Sequence, residues 1–484
     1  MLLPFRKFKS ISCLLALAGL ALLADGCASR TAQKEAEKDP WEEMEILRKQ
    51  IIAPTFPGRD FLITNYGAVE GGKVKSTEAF RKAIEACNKS GGGRVVVPTG
   101  TFLTGAIHLK SNVNLHLQDN ATILFSRDTL DYLPVVFTRW EGMELMNYSP
   151  FIYAYEQENI AITGNGILDG NSDVENWWPW CGAKKYGWVE GTPRQTPDRT
   201  LLHEQNHQGI DPTERIYGPG HRLRPQFVQP YKCKNVLISG VKLINSPMWN
   251  LHPVLCENVT IENVKIVTLG PNNDGCDPES CKNVLIRNCY FDTGDDCIAI
   301  KSGRNEDGRR IGRPSENIII DGCEMKDGHG GVVIGSEISG GARNIYAVNC
   351  TMGSPNLDRV LRIKTSSQRG GIIENVYMKD VKVGTYKEAA VKCNMFYEGP
   401  GNHMPAIRNV LVENLYVENG GKYAVMVKAY GESPVENLRL VNCVINGVDE
   451  PLNIDHVKGM KLTNTKINGK SYNSDNVTAA NKGQ

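Results

Sequence analysis

The sequence has almost no net charge. Its 55 Lys and Arg residues meet 54 Asp and Glu, leaving +1 with His neutral. That excludes recruitment to nucleic acid by bulk electrostatics, so an acidic partner would have to be held by a local cluster. Collagen-like period and disorder-prone composition are also missing, since 41% of residues are hydrophobic and 23% charged. Beyond the first 24 residues there is no apolar run long enough to span a bilayer. What is there is length and glycine. The 484 residues set a prior of roughly three domains. The 48 glycines point to many turns or closely approaching backbones.

The N-terminus reads as an address. Arg6, Lys7 and Lys9 precede an apolar run from Ile11 to Ala24, the n-region and h-region of an export signal. Leu23-Ala24-Asp25-Gly26-Cys27 then resembles a bacterial lipobox, with Cys27 the lipidated first mature residue; a simple secretory signal is the alternative. Residues 1–26 are therefore read as signal and 27–55 as a polar tether with a short helix over Trp41 to Ile52. The mature body is expected in the periplasm or at the outer membrane, touching the membrane only through that anchor. Two of the 14 Cys belong to the signal.

A nine-residue phrase recurs: Asn, apolar, any, apolar, any, Asn or Gly, apolar, any, apolar. It begins at Asn235, Asn258, Asn283, Asn317, Asn344, Asn375, Asn409 and Asn437, with a weaker copy from Met460 and an earlier one from Asn159. From Asn235 onward the spacings run from 23 to 34 residues. Each phrase is an alternating strand, a one-residue corner and a second short strand. No helical period separates the copies, which excludes a doubly wound sheet. Repeats of this length without crossover helices make an all-β, single-stranded right-handed parallel β-helix of the pectin-lyase-like kind. The domain prior fails, because a solenoid grows without dividing.

The recurring Asn is expected to stack into a hydrogen-bonded ladder. Cys289, Cys323, Cys350 and Cys443 share one column of the repeat, and Cys233, Cys256 and Cys281 another. That favours core filling over zinc; disulfides between adjacent coils stay open. Ser76 to Cys87 has apolar residues at helical spacing, with Ser76 as N-cap, and reads as the helix that covers the open end. The solenoid is placed at 56–470 with an insertion at 171–229, followed by a tail at 471–484.

Three acidic positions break the pattern of their coils. Asp274 sits in Pro-Asn-Asn-Asp-Gly-Cys-Asp, and Asp295 and Asp296 in Asp-Thr-Gly-Asp-Asp-Cys. Asp274 and Asp295 are 21 residues apart, about one coil, which predicts near neighbours. His329 follows one coil later. Arg362 and Lys364 follow another coil on and, two apart on a strand, leave one face. Singly each has a bland reading as a turn, a structural His or a solvated face. Together, clustered carboxylates beside cations mark a functional site.

These residues resemble the polygalacturonase family of glycoside hydrolases, family 28. The resemblance rests on Asn272-Asn273-Asp274, Gly294-Asp295-Asp296, Gly328-His329-Gly330 and Arg362-Ile363-Lys364, in that order. It covers roughly residues 60 to 445, and its overall texture is most like the bacterial exo-acting members. It implies hydrolysis of α-1,4 galacturonosidic bonds with inversion, no cofactor and no metal, acting on pectic polysaccharide or oligogalacturonide as a monomer. Asp295 then matches the general acid, Asp274 and Asp296 the pair that activates water, and His329 the support of the acid. Arg362 and Lys364 match the cations that grip the galacturonate carboxylate. Tyr397 matches a tyrosine that follows them, and Asn272 belongs to the substrate-binding set.

The residues agree with those roles. Hydrolysis needs one protonated and one ionised carboxyl at the same pH, and crowding three Asp raises at least one pKa. The insertion carries Trp177, Trp178, Trp180, Trp188, His203, His207, His221, Arg222 and Arg224. It reads either as a wall across one end of the cleft, favouring chain-end attack, or as a decoration packing its Trp residues on the solenoid. Trp249 and His252 are expected to face the cleft. Rhamnogalacturonan and xylogalacturonan are alternative substrates. A calcium-dependent lyase and a non-catalytic glycan-binding β-helix remain as other classes.

Overall fold

The computed structural model describes residues 39–474. The signal, Cys27 and the tail from 475 lie outside them. Each repeat phrase forms two short strands that pair parallel with the same phrase one coil away, as in Val259↔Val284↔Ile318↔Ile345↔Val376↔Val410. The result is a right-handed parallel β-helix. Its interior is one continuous column of Ile, Val, Leu and Cys running the length of the solenoid.

Both polar positions of the phrase are corners. The leading Asn residues from Asn235 to Asn437 have φ near 54–60°, and Asn263, Asn288, Asn349, Asn414 and Asn442 have φ near 52–56°. Asn tolerates this left-handed turn best among residues with a Cβ. The expectation named one corner per phrase; there are two, because the chain must bend both into and out of the first strand. The leading Asn side chains do form a ladder, with Nδ2 of Asn317, Asn344, Asn375, Asn409 and Asn437 donating to the Asn one coil earlier at 2.6–3.2 Å. All twelve described cysteines are free. Both Cys columns are buried in the core, so no disulfide joins adjacent coils there.

Four helices decorate the described solenoid: α1 (Pro40–Gln50), α2 (Thr77–Lys89), α3 (Gln195–His207) and α4 (Asn305–Ile311). α1 lays Met44 and Leu47, with Ile51 just beyond it, on an outward apolar column of Leu285, Ile319, Tyr346, Tyr377 and Leu411. α2 buries Ala79, Phe80, Ala83, Ile84 and Cys87 against the N-terminal coils. Ser76 stands at its N-cap, as expected, but without a side-chain capping bond: its hydroxyl accepts from Val69 N at 3.2 Å instead. At the other end Lys470–Ser474 turns back antiparallel on Lys461–Ile467. The described fold therefore runs past the expected boundary at 470 and closes its last coil with a hairpin.

One face positions the site. Its register runs Ile107↔Ile152↔Val228↔Leu251↔Cys276↔Ile298↔Val332↔Leu361↔Val391↔Val425. Those side chains point into the core. The next residue along each strand points out, by the two-residue period of strands. The outward column therefore includes Gln229, His252, Asp277, Ala299, Val333 and Arg362.

Candidate active site

Asp274, Asp296 and Gly330 fall in register on the turns that enter this face. Gly275 N donates to Asp296 O at 2.9 Å, and Cys297 N to Gly330 O at 2.8 Å. The coil-mate of Asp274 is thus Asp296, and Asp295 is the near neighbour expected from the spacing. Consecutive residues point oppositely, and that separates the two members of the Asp-Asp pair. Asp296 is fully buried, whereas the Asp295 side chain keeps 20% exposure. A carboxylate oxygen from each of Asp274, Asp295 and Asp296 lies within 4.8 Å of the others. The flanking glycines permit this crowding. A Cβ on Gly294 would meet Gly270 O at 2.2 Å, and one on Gly330 would stand 3.3 Å from Asp296 Oδ1.

The cations hold Asp296. Lys364 Nζ donates to its Oδ2 at 2.7 Å and Arg362 Nη1 to its Oδ1 at 3.3 Å. Burial alone would raise its pKa, but Lys364, then Arg362 and Lys301, outweigh burial and hold it below the usual carboxylate range. Tyr397 lies over both cations, 5.4 Å from Arg362 and 5.1 Å from Lys364, and it is 40% exposed. Asp295 Oδ1 is 2.8 Å from His329 Nδ1, and that hydrogen bond raises the His329 pKa. Asp274 is pushed up to about 7, by burial first and then by the Asp295 charge.

Several residues at the site were not singled out by the sequence. Lys301 Nζ is buried 3.5 Å from Asp274, 3.5 Å from Asp277 and 3.2 Å from Glu337, and lies 4.3 Å over the Trp249 ring. Neither oxygen of Asp277 has a hydrogen-bond partner. Its pKa is raised well above the usual value, by burial and then by Asp274. Alternation from Cys276 and Ile300 would have placed Asp277 and Lys301 on the outward face, but one charge on an outward position reads like any solvated strand.

Three expectations are corrected. His252 is fully buried, not in the cleft. Its Nε2 is 2.8 Å from Glu279 Oε2 and its Nδ1 2.9 Å from Gln229 Nε2. The cause is a covering hairpin, Val136–Trp140 with Met143–Asn147, whose Arg139 reaches Glu279 at 3.1 Å and whose Thr138 bonds Gln229. Trp249 is also buried, as the floor beneath Lys301. Asn272 serves the scaffold: its Oδ1 accepts from Arg224 Nη2 at 2.7 Å. The buried Arg224 also donates to the carbonyls of Pro247 and Pro271, both at 2.7 Å. Asn273 Oδ1 accepts from Gly270 N at 2.9 Å, bracing the same turn.

The insertion packs Trp residues on the solenoid, as the second of its two readings expects. Trp177 is buried in the core and Trp178 Nε1 donates to Ser246 O at 2.8 Å. Trp180 packs on the core under Arg222, and Trp188 lies beside Arg194. His221 is 2.7 Å from Asp198, and His207 is 3.1 Å from Glu306. α3 meets α4 through Asn206, which donates to Arg304 O and accepts from Asp307 N. Hairpin, α3 and α4 are thus tied together beside the catalytic turns.

A parallel β-helix whose one face gathers carboxylates against an Arg-x-Lys pair defines a class of carbohydrate-cleaving hydrolases. Residues 217–466 match the family described as glycosyl hydrolases family 28. The crystal structure of a hyperthermoactive exopolygalacturonase from Thermotoga maritima is 46% identical, with a TM-score of 0.87, covering 90% of this chain and 97% of that one. An exo-poly-alpha-D-galacturonosidase from Dickeya chrysanthemi is 26% identical over 83% of this chain and 70% of its own length. A probable polygalacturonase from Vitis vinifera is 28% identical over 74% of this chain and 68% of its own. The chain belongs to glycosyl hydrolase family 28 and is a glycoside hydrolase.

Proposed function

We propose that this enzyme hydrolyses α-1,4 galacturonosidic bonds of polygalacturonate from a chain end, with inversion. The carrying observation is the division of labour within Asp295-Asp296. Asp296 is kept ionised by two cations, while Asp295 reaches solvent beside His329.

Arg362 and Lys364 draw the galacturonate carboxylate to the reacting unit, with the Tyr397 ring alongside. Asp295 gives its proton to the glycosidic oxygen as the bond to the anomeric carbon breaks. Ionised Asp274 and Asp296 take a proton from a water that adds its hydroxyl to that carbon from the opposite face. The proton taken from water then passes to solvent, and Asp295 is reprotonated for the next turnover.

The carboxylate oxygens lie closer than the roughly 6.5–9.5 Å of inverting pairs and nearer the 5–5.5 Å of retaining ones. That spacing favours a second reading, retention. Against it, a nucleophile must touch the anomeric carbon, and both Asp274 and Asp296 are buried, the latter clamped. Proton NMR of the first-formed anomer separates the two. The hairpin, α3 and α4 support chain-end attack, because they stand beside the catalytic turns, tied to them through Arg304 and Glu337. The chain is exported, held through lipidated Cys27, and works as a monomer. Mass spectrometry of the mature N-terminus and the solution mass test these points, and an unlipidated N-terminus would overturn the anchor.

A further inference from the structure

The catalytic face runs on past Arg362 and Lys364 over two more coils that the hydrolytic step leaves unused. The register there is Lys364↔Asn394↔Lys428. Ile363, Cys393 and Val427, one residue before each, belong to the core. By strand alternation Lys364, Asn394 and Lys428 therefore leave the same outward face. Two strand spacings separate Lys428 from Lys364, roughly 10 Å along the axis.

Lys428 differs from the two cations at the catalytic turns. Arg362 and Lys364 are buried against Asp296. Lys428 is exposed, and among the described residues it has no ion-pair partner. An aromatic pair stands at the same coils. Phe396 and Tyr397 are neighbours on the loop after Ala389–Asn394. Tyr397 lies over Arg362 and Lys364, whereas Phe396 meets Tyr430, with ring centres 4.3 Å apart. The loop is pinned to the column, because Phe396 N donates to Asn394 Oδ1 at 3.0 Å. Tyr430 is fixed in turn by its hydroxyl, which donates to Ser367 Oγ at 3.1 Å. Phe396 nevertheless keeps 48% exposure. A ring already held in place offers its apolar face to a ligand at little ordering cost.

We propose that Lys428, beside the Phe396–Tyr430 pair, holds a carboxylate of the substrate chain beyond the unit gripped by Arg362 and Lys364. The hairpin Val136–Asn147 covers this face over the earlier coils, at Gln229 and Glu279. A chain whose end is bound at the catalytic turns therefore leaves over the later ones. Polygalacturonate carries a carboxylate on every unit, so a later unit brings an anion to the unanswered ammonium, and its sugar face meets the ring. An exposed cation gives up little hydration in pairing, which makes the contact favourable where a buried one would be costly. The proposal rests on the chain-end reading and adds where the rest of the chain lies.

The test measures kcat and KM on digalacturonate and on pentagalacturonate for wild type, K428A, K428R and F396A. K428A should lose about tenfold in kcat/KM on pentagalacturonate, the scale of one hydrogen bond to a charged group. The loss on digalacturonate should be several-fold smaller, because its second carboxylate lies nearer the reacting bond. The effect should fall on KM, since a contact this far from the reacting bond is made equally in the ground and transition states. K428R should recover most of it, and F396A should lower the preference for the longer substrate in the same way. Added salt should erode that preference in wild type more than in K428A. If wild type releases monomer while K428A keeps the wild-type ratio of the two kcat/KM values, the inference is overturned and the chain-end reading stands. A ladder of oligomers from wild type overturns the chain-end reading, and the inference with it.

Discussion

Lys364 Nζ lies 2.7 Å from Asp296 Oδ2, and the adjacent Asp295 turns away from it toward His329. Two neighbouring carboxyls of one turn are thus given opposite electrostatic surroundings. That is the condition for an acid and a base to work at one pH.

Asp295→Asn should lower kcat by about 10³-fold or more with the fold intact, since a general acid commonly contributes 10²–10⁴. Rates on polygalacturonate beside far-ultraviolet circular dichroism check this. Unchanged activity would leave only a glycan-binding role.

The rate should rise as pH rises toward about 7, where Asp274, proposed to take the proton from water, loses its own. Asp296 adds no limb near neutral pH, because it is held ionised below the usual range. Stability follows by linkage. Asp274 binds its proton more tightly folded than unfolded, so its contribution declines as pH rises from the unfolded carboxylate value near 4 to about 7. Asp296 behaves oppositely: its contribution is present above the unfolded value and lost as pH falls below it. Denaturant unfolding across pH should therefore flatten between pH 4 and 7 in Asp274→Asn.

Lys301→Met should destabilise by about 3–5 kcal/mol, because it strands buried carboxylates of Asp274 and Glu337 that the ammonium now pairs. Urea midpoints measure it. A loss below about 1 kcal/mol would mean that those groups find other partners.

Arg224→Ala removes three hydrogen bonds that hold Pro247, Pro271 and Asn272. About 3 kcal/mol of stability should go, together with at least tenfold in kcat, as the turn bearing Asp274 loosens. Wild-type kinetics in this variant would show that Asn273 suffices as the brace.

The solenoid was legible because its corners need residues tolerant of positive φ, and Asn235 through Asn437 repeat that need at coil spacing. Arg362 and Lys364 were legible for the same reason as the acids: they interrupt an otherwise apolar strand. Trp249 and His252 were misread because the segment covering them, Val136–Asn147, lies a hundred residues earlier and carries no repeat phrase. The 21-residue spacing did make Asp274 and Asp295 neighbours, but only the registered ladder Cys276↔Ile298 shows that Asp296 is the residue paired with Asp274 in register. Lys301 and Glu337 were silent because a charge in a strand looks alike whether water or another charge answers it.

The account is tested most directly by the time course of products from polygalacturonate, followed by chromatography and ultraviolet absorbance with chelator present and absent. Saturated galacturonate monomer from the first time point, unaffected by chelator, is the expected result. An unsaturated, chelator-sensitive product, or a ladder of oligomers before any monomer, would contradict it.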